Sequence, residues 1–138
     1  MTNRTKQTHG VILIKGVTEM SASAAENLSQ SAIDQLEGGF PDEAVQLFRA
    51  AFRADSECVE AYHGLIRALR DAGRQEQSIG AALALVALTP NDPLAHTALS
   101  VSLQHAGHLP EAEAAATRAR ILEWKIQLQS PPGEDSPL

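Results

Sequence analysis

His105 and His108 stand three residues apart, a spacing that on a continuous helix could present two imidazoles to one metal ion. Gly107 interrupts any helix between them, and no carboxylate or cysteine follows at a zinc-like spacing. They read instead as turn and helix-end residues, His105 being favourable where helix carbonyls point outward. Cys58 could act as a nucleophile only as a thiolate, which needs a nearby cation or a helix start. Only the helix start fits here, so Cys58 reads as a small buried packing residue. The chain has no glycine-rich phosphate loop, no nucleophile elbow and no metalloprotease histidine pair. The expectation is a protein without catalytic residues, metal or cofactor.

The elements that carry these residues must be helices. Of 138 residues 23 are Ala, while Phe, Trp and Tyr together supply five. Alanine is the best helix former and a poor strand former, so surface must be buried by small side chains on closely approaching helices. A β-sandwich or barrel is excluded. Apolar residues make up 43% and charged ones 20%, the balance of a globular chain large enough for one domain. A net charge of −6 leaves no overall basic footprint for nucleic acid. No apolar run approaches the roughly 18 residues that cross a bilayer. The run Val11–Ile14 is too short for a signal-peptide core and lacks a small-residue cleavage site. A single cysteine forms no internal disulfide, which agrees with the cytoplasm.

A repeat organises the chain. Gly39, Gly73 and Gly107 are each separated by 34 residues. The same offset joins Ala44, Ser78 and Ala112; Ala51, Leu85 and Ala119; Ala54, Leu88 and Leu122; and Leu28, Tyr62 and His96. Within the second unit, Ala61, Tyr62, Leu65, Ile66, Ala68 and Leu69 form a buried helical stripe. Gly73 closes that helix where a left-handed residue is wanted. A second stripe, Ile79, Ala82, Leu83, Val86 and Ala87, ends at Thr89-Pro90. Six helices are expected, over 22–37, 41–54, 58–72, 75–88, 92–106 and 110–128.

The pattern resembles the tetratricopeptide repeat, whose helix pairs carry large, small, glycine, aromatic and proline residues at set places. The first unit matches with Leu28, Ala32, Gly39, Ala44, Phe48 and Ala51. Tyr62, Leu65, Gly73, Ser78 and Pro90 match in the second. Leu99, Ser100, Gly107, Ala112, Ala116 and Ala119 match in the third. Ser31, Gln35, Ile66 and Trp124 depart from it. The resemblance implies an all-α fold, a right-handed α-solenoid of three TPR-like helix pairs with an extended C-terminal helix. Repeats would span about 25–58, 59–92 and 93–126 inside a domain covering 21–129.

Such a fold implies a non-enzymatic module that binds a peptide or helix of another protein in a concave groove. The repeat positions that face the groove carry Ile33, Leu36, His63, Arg67, Arg70, Leu94, Thr97, Val101 and Gln104. The middle unit thus offers a basic spot between apolar anchors, suited to a segment with one acidic group. The competing reading is a solvated face with the arginines paired to Glu60 or Asp71. A clamp for C-terminal carboxylates, known in one subclass, would need cations and amides where Ser29, Ile33, Gly64, Leu94 and Ala98 stand. Three-repeat bacterial secretion chaperones are also similar in size and acidity. Asn91-Asp92-Pro93 with His96, Ala98 and Gly107 echoes their third repeat, making a dedicated chaperone for an apolar client the second reading.

Two segments fall outside the repeats. Residues 10–17, with Val11, Ile12, Leu13 and Ile14, read as strand-like within an N-terminal extension over 1–20. They would dock on the first repeat, pair with another chain, or precede a true start at Met20. At the other end Ile121, Trp124 and Leu128 form a second apolar ridge on the last helix, either a cap or a contact with a partner or second copy. A self-assembling accessory subunit is the structural alternative. Ser130–Leu138, with three prolines, reads as a flexible tail.

Overall fold

Three glycines set the architecture. Gly39, Gly73 and Gly107 adopt φ of 86°, 78° and 84°, the left-handed region that L side chains rarely enter. At each one the preceding helix ends with the same pair of hydrogen bonds. The glycine N–H donates to the carbonyl three residues back (Leu36, Arg70, Gln104), and the next N–H donates to that five residues back (Gln35, Leu69, Leu103), all at 2.8–3.1 Å. These bonds satisfy carbonyls that a helix end otherwise leaves bare.

The computed structural model describes the backbone of residues 2–129 and side chains from Glu19 onward. Six helices follow one another: α1 (Thr2–Glu37), α2 (Pro41–Ala54), α3 (Val59–Asp71), α4 (Gln75–Leu88), α5 (Pro93–His105) and α6 (Leu109–Leu128). There is no strand among the described residues. Proline opens α2, α5 and α6, where its missing N–H costs nothing. Asp92 caps α5 by accepting from the Leu94 N–H at 3.0 Å.

The chain divides into two compact units, with the boundary between Ala68 and Leu69 inside α3. In the first, α1 packs on α2. Ala25, Ala32, Ala44, Ala51 and Ala61 are fully buried there, and Phe48 fills the space among them. In the second, α4 packs on α5 and α5 on α6, around Leu69, Ala82, Leu85, Ala95, Ala112 and Leu122. Its core also holds hydroxyls. Ser78 Oγ and Ser102 Oγ share a hydrogen bond of 2.8 Å between α4 and α5, and Ser100 Oγ donates to the Ala112 carbonyl at 2.8 Å between α5 and α6.

The strand-like reading of residues 10–17 is corrected: they lie within α1. A lone strand leaves its N–H and C=O groups unpaired, whereas a helix closes them internally. The side chains of Val11, Ile12, Leu13 and Ile14, and the whole of Ser130–Leu138, lie outside the described residues, as do the contacts expected of them.

A cleft in the first unit

The groove residues expected from the repeat pattern fall in both units. Ile33, Leu36, His63 and Arg67 belong to the first, and three helices bring them to one cleft of about 410 Å³. α1 contributes Glu26, Ser29, Gln30, Ile33 and Leu36; α2 contributes Phe48; α3 contributes Glu60, His63, Gly64 and Arg67, with Val59 at its start. The floor is apolar. Phe48 is fully buried and Leu36 is 8% exposed, while Ile33 and His63 are half-buried and Arg67 is exposed. Glu26 and Glu60 stand exposed with Arg67, so the charged groups are of both signs.

Gly64 explains how the ring of Phe48 reaches this floor. A glycine inside a helix costs about 1 kcal/mol relative to alanine, so it calls for a packing reason. A Cβ at Gly64 would collide with Cε1 and Cζ of Phe48. The bare α-carbon of α3 is therefore the surface on which the ring lies. Repeat matching did not single out this contact, although a helix-interior glycine was the available signal.

Ser29 also belongs to this cleft. It is 2% exposed and lies in the cleft wall. Its Oγ has no hydrogen-bond partner among the described residues. A buried hydroxyl without a partner costs roughly 1–3 kcal/mol.

The remaining expected groove residues belong to the second unit. Arg70 and Val101 are half-buried; Leu94 (62% exposed), Thr97 and Gln104 face solvent. Thr97 Oγ1 donates back to the Pro93 carbonyl at 3.0 Å. Arg67, Arg70 and Asp71 are each engaged by neighbouring groups.

The other candidate chemistry resolves into structure. His96 is 8% exposed, and its Nε2–H donates to the Pro90 carbonyl at 2.8 Å, fastening α5 to the loop before it. His108 Nε2 lies 3.4 Å from Glu76 Oε1 at the surface. No group of three potential metal ligands gathers among the described residues. Cys58, expected to be buried, is half-buried in the loop between α2 and α3. Tyr62, the large residue of its repeat, stacks edge-on against Phe52 with centroids 4.3 Å apart and donates to the Ser56 carbonyl at 3.3 Å. No helix among the described residues is long and apolar enough to cross a membrane.

The tetratricopeptide repeat family model matches residues 30–93. No curated protein matches the chain. Among solved structures, the second TPR of Spaghetti (RPAP3), bound to the HSP90 peptide SRMEEVD, aligns with a TM-score of 0.74 at 13% identity. That alignment covers 82% of this chain and 97% of the other. The Yersinia enterocolitica type III secretion translocator chaperone SycD aligns in two crystal structures, both with a TM-score of 0.68 at 23% identity and 80% of this chain. One is an alternative dimer, 87% covered; the other is a complex with a peptide of the translocator YopD, 88% covered. At these identities the likeness is one of fold. With the matched segment, six helices among the described residues and a left-handed glycine turn at 34-residue intervals, the chain has the all-α fold of tetratricopeptide repeat proteins.

Proposed function

We propose that this chain is an interaction module that holds a segment of a partner protein in the cleft of its first unit. The observation that carries the reading is a cleft lined by Ile33, Leu36 and His63 and edged by Glu26, Glu60 and Arg67, charges of both signs. An apolar side chain of the partner would fill the cleft against Ile33 and Leu36. Glu60, His63 and Arg67 along α3 would orient the segment by charge. A cleft of about 410 Å³ admits a few side chains, in keeping with a short anchored segment. The peptide-bound states of the RPAP3 repeat and of SycD support this use of the fold.

The test is affinity capture from the native host with the wild-type chain and with Ile33→Glu and Arg67→Glu variants, followed by mass spectrometry. A specific partner should be retained by the wild type and lost at least about tenfold with either variant, as expected for anchor positions. Helicity should be unchanged. A partner captured equally by all three proteins would overturn the reading.

A dedicated chaperone for an apolar client is the second reading. It draws on the SycD likeness and on large apolar side chains left in solvent, Phe40 at 55%, Leu83 at 53% and Leu94 at 62% exposed. Co-expression distinguishes the two, because only a chaperone raises the soluble yield of its client.

A further inference from the structure

α6 buries one face and leaves the opposite one apolar. Ala112, Ala115, Ala119 and Leu122 form the buried row. On the far side, Ala114, Thr117, Ile121, Trp124 and Leu128 follow in alternating steps of three and four, the seam spacing of a coiled coil. This exposed seam is about 21 Å long at 1.5 Å per residue. Its last three members are large: Ile121 is 39%, Trp124 64% and Leu128 72% exposed. Ile126 continues the buried row in phase yet is 51% exposed, because α6 has 20 residues and its partner α5 only 13. At its upper end the seam meets a second cleft of about 400 Å³ within the same unit, where Ala114 is joined by Leu83, Leu99 and Leu103.

The charges beside the seam state what could cover it. Next to Thr117–Leu128 stand Arg118 and Lys125 on one side, and Arg120 and Gln127 on the other. Arg120 is held by Glu113 at 3.2 Å and by Thr117 Oγ1 at 3.1 Å. Arg118 and Lys125 are exposed and make no ion pair among the described residues. Glu111 and Glu113 lie only at the start of α6, and Glu123 lies off the seam. A second copy in the antiparallel register that stacks Ile121 on Trp124 would bring Arg118 against Lys125. In a parallel register Arg120 would meet Lys125, so like charges oppose self-pairing through the large residues either way. This basic strip stands out on a chain of net charge −6.

We infer that the outer face of α6 is a second docking surface, which takes an acidic amphipathic helix of a partner protein. The partner's apolar row lies along Ile121, Trp124 and Leu128, and its carboxylates face Arg118 and Lys125. The surface belongs wholly to the second unit and does not depend on the cleft reading.

Trp124 is the sole tryptophan, so its fluorescence reports this surface directly. The probes are two tryptophan-free three-heptad peptides with leucine at the seam, one flanked by glutamate and the other by lysine. Titrated into the full chain at low salt, the glutamate peptide should shift Trp124 emission to the blue and bind at least about tenfold more tightly than the lysine peptide. That gap should shrink as salt screens the charges. Ile121→Glu, on an exposed position, should weaken binding about tenfold or more. The double variant Arg118→Glu/Lys125→Glu should reverse the preference, a result that simple misfolding would not produce. Equal affinity for both peptides, or a preference unmoved by the charge swap, would overturn the inference. So would a concentration-dependent blue shift without peptide, which would mark a second copy. A red shift on removing residues 130–138 would mark the chain's own tail and count equally against it.

Discussion

Gly64 and Gly80 both sit in helix interiors, yet their surroundings give opposite signs to the same substitution. At Gly80, on the exposed face of α4, a Cβ would meet nothing within 4 Å. Gly80→Ala should therefore stabilise the chain by up to about 1 kcal/mol, by improving helix propensity and restricting the unfolded state. At Gly64 a Cβ would strike the ring of Phe48. Overpacking typically costs about 1–3 kcal/mol, more than the propensity gain, so Gly64→Ala should destabilise. Adding Phe48→Leu should recover part of the loss. Urea unfolding of the variants checks all three outcomes. The residue types of these two glycines are equally visible in the sequence; what separates them is the neighbour across the helix, which no periodicity names.

At the scale of elements, the repeat pattern anticipated where helices begin and end, because each boundary has a local cause. Gly39, Gly73 and Gly107 take a backbone conformation open to few other residues, and Pro41, Pro93 and Pro110 open the next helix or follow its first residue. The N-terminal segment departs from that success. Its β-branched run suggested a strand, but a strand needs a partner, and the observed helix does not. How helices are joined was harder to foresee. Ser78 reads as a small residue in its repeat, yet it is one half of a buried hydroxyl pair with Ser102 at 2.8 Å. Ser78→Ala should cost about 1–3 kcal/mol by leaving the Ser102 hydroxyl buried and unpaired. The Ser78→Ala/Ser102→Ala double variant should cost less than the sum of the two single changes. A thermal-unfolding mutant cycle measures that coupling, and strictly additive losses would deny it.

The whole molecule presents an acidic surface, with net charge −6 and a pI near 5.3. At neutral pH the copies repel one another, which favours solubility. As pH falls, carboxylates take up protons and the net negative charge shrinks towards zero. Solubility should therefore pass through a minimum near pH 5.3, measurable as turbidity across a titration from neutral pH to pH 4. Added salt at neutral pH should have far less effect on solubility than this acidification.

Much of this protein followed from the sequence alone: an all-α fold, three repeats, their turns, and the exposed ridge of Ile121, Trp124 and Leu128. Those features depend on backbone preference and on periodicity, which act over a few residues and are written into them. Only the tertiary structure decided that Ser29 is buried without a partner and that Gly64 is the seat of Phe48. It also decided that Ile126 emerges from the core row into solvent. Each of these depends on which atoms arrive from another helix, or fail to arrive, and that is a property of packing across the chain. The alanine count followed the same division. Local propensity made these residues helical, whereas the approach of neighbouring helices determined which of them became core.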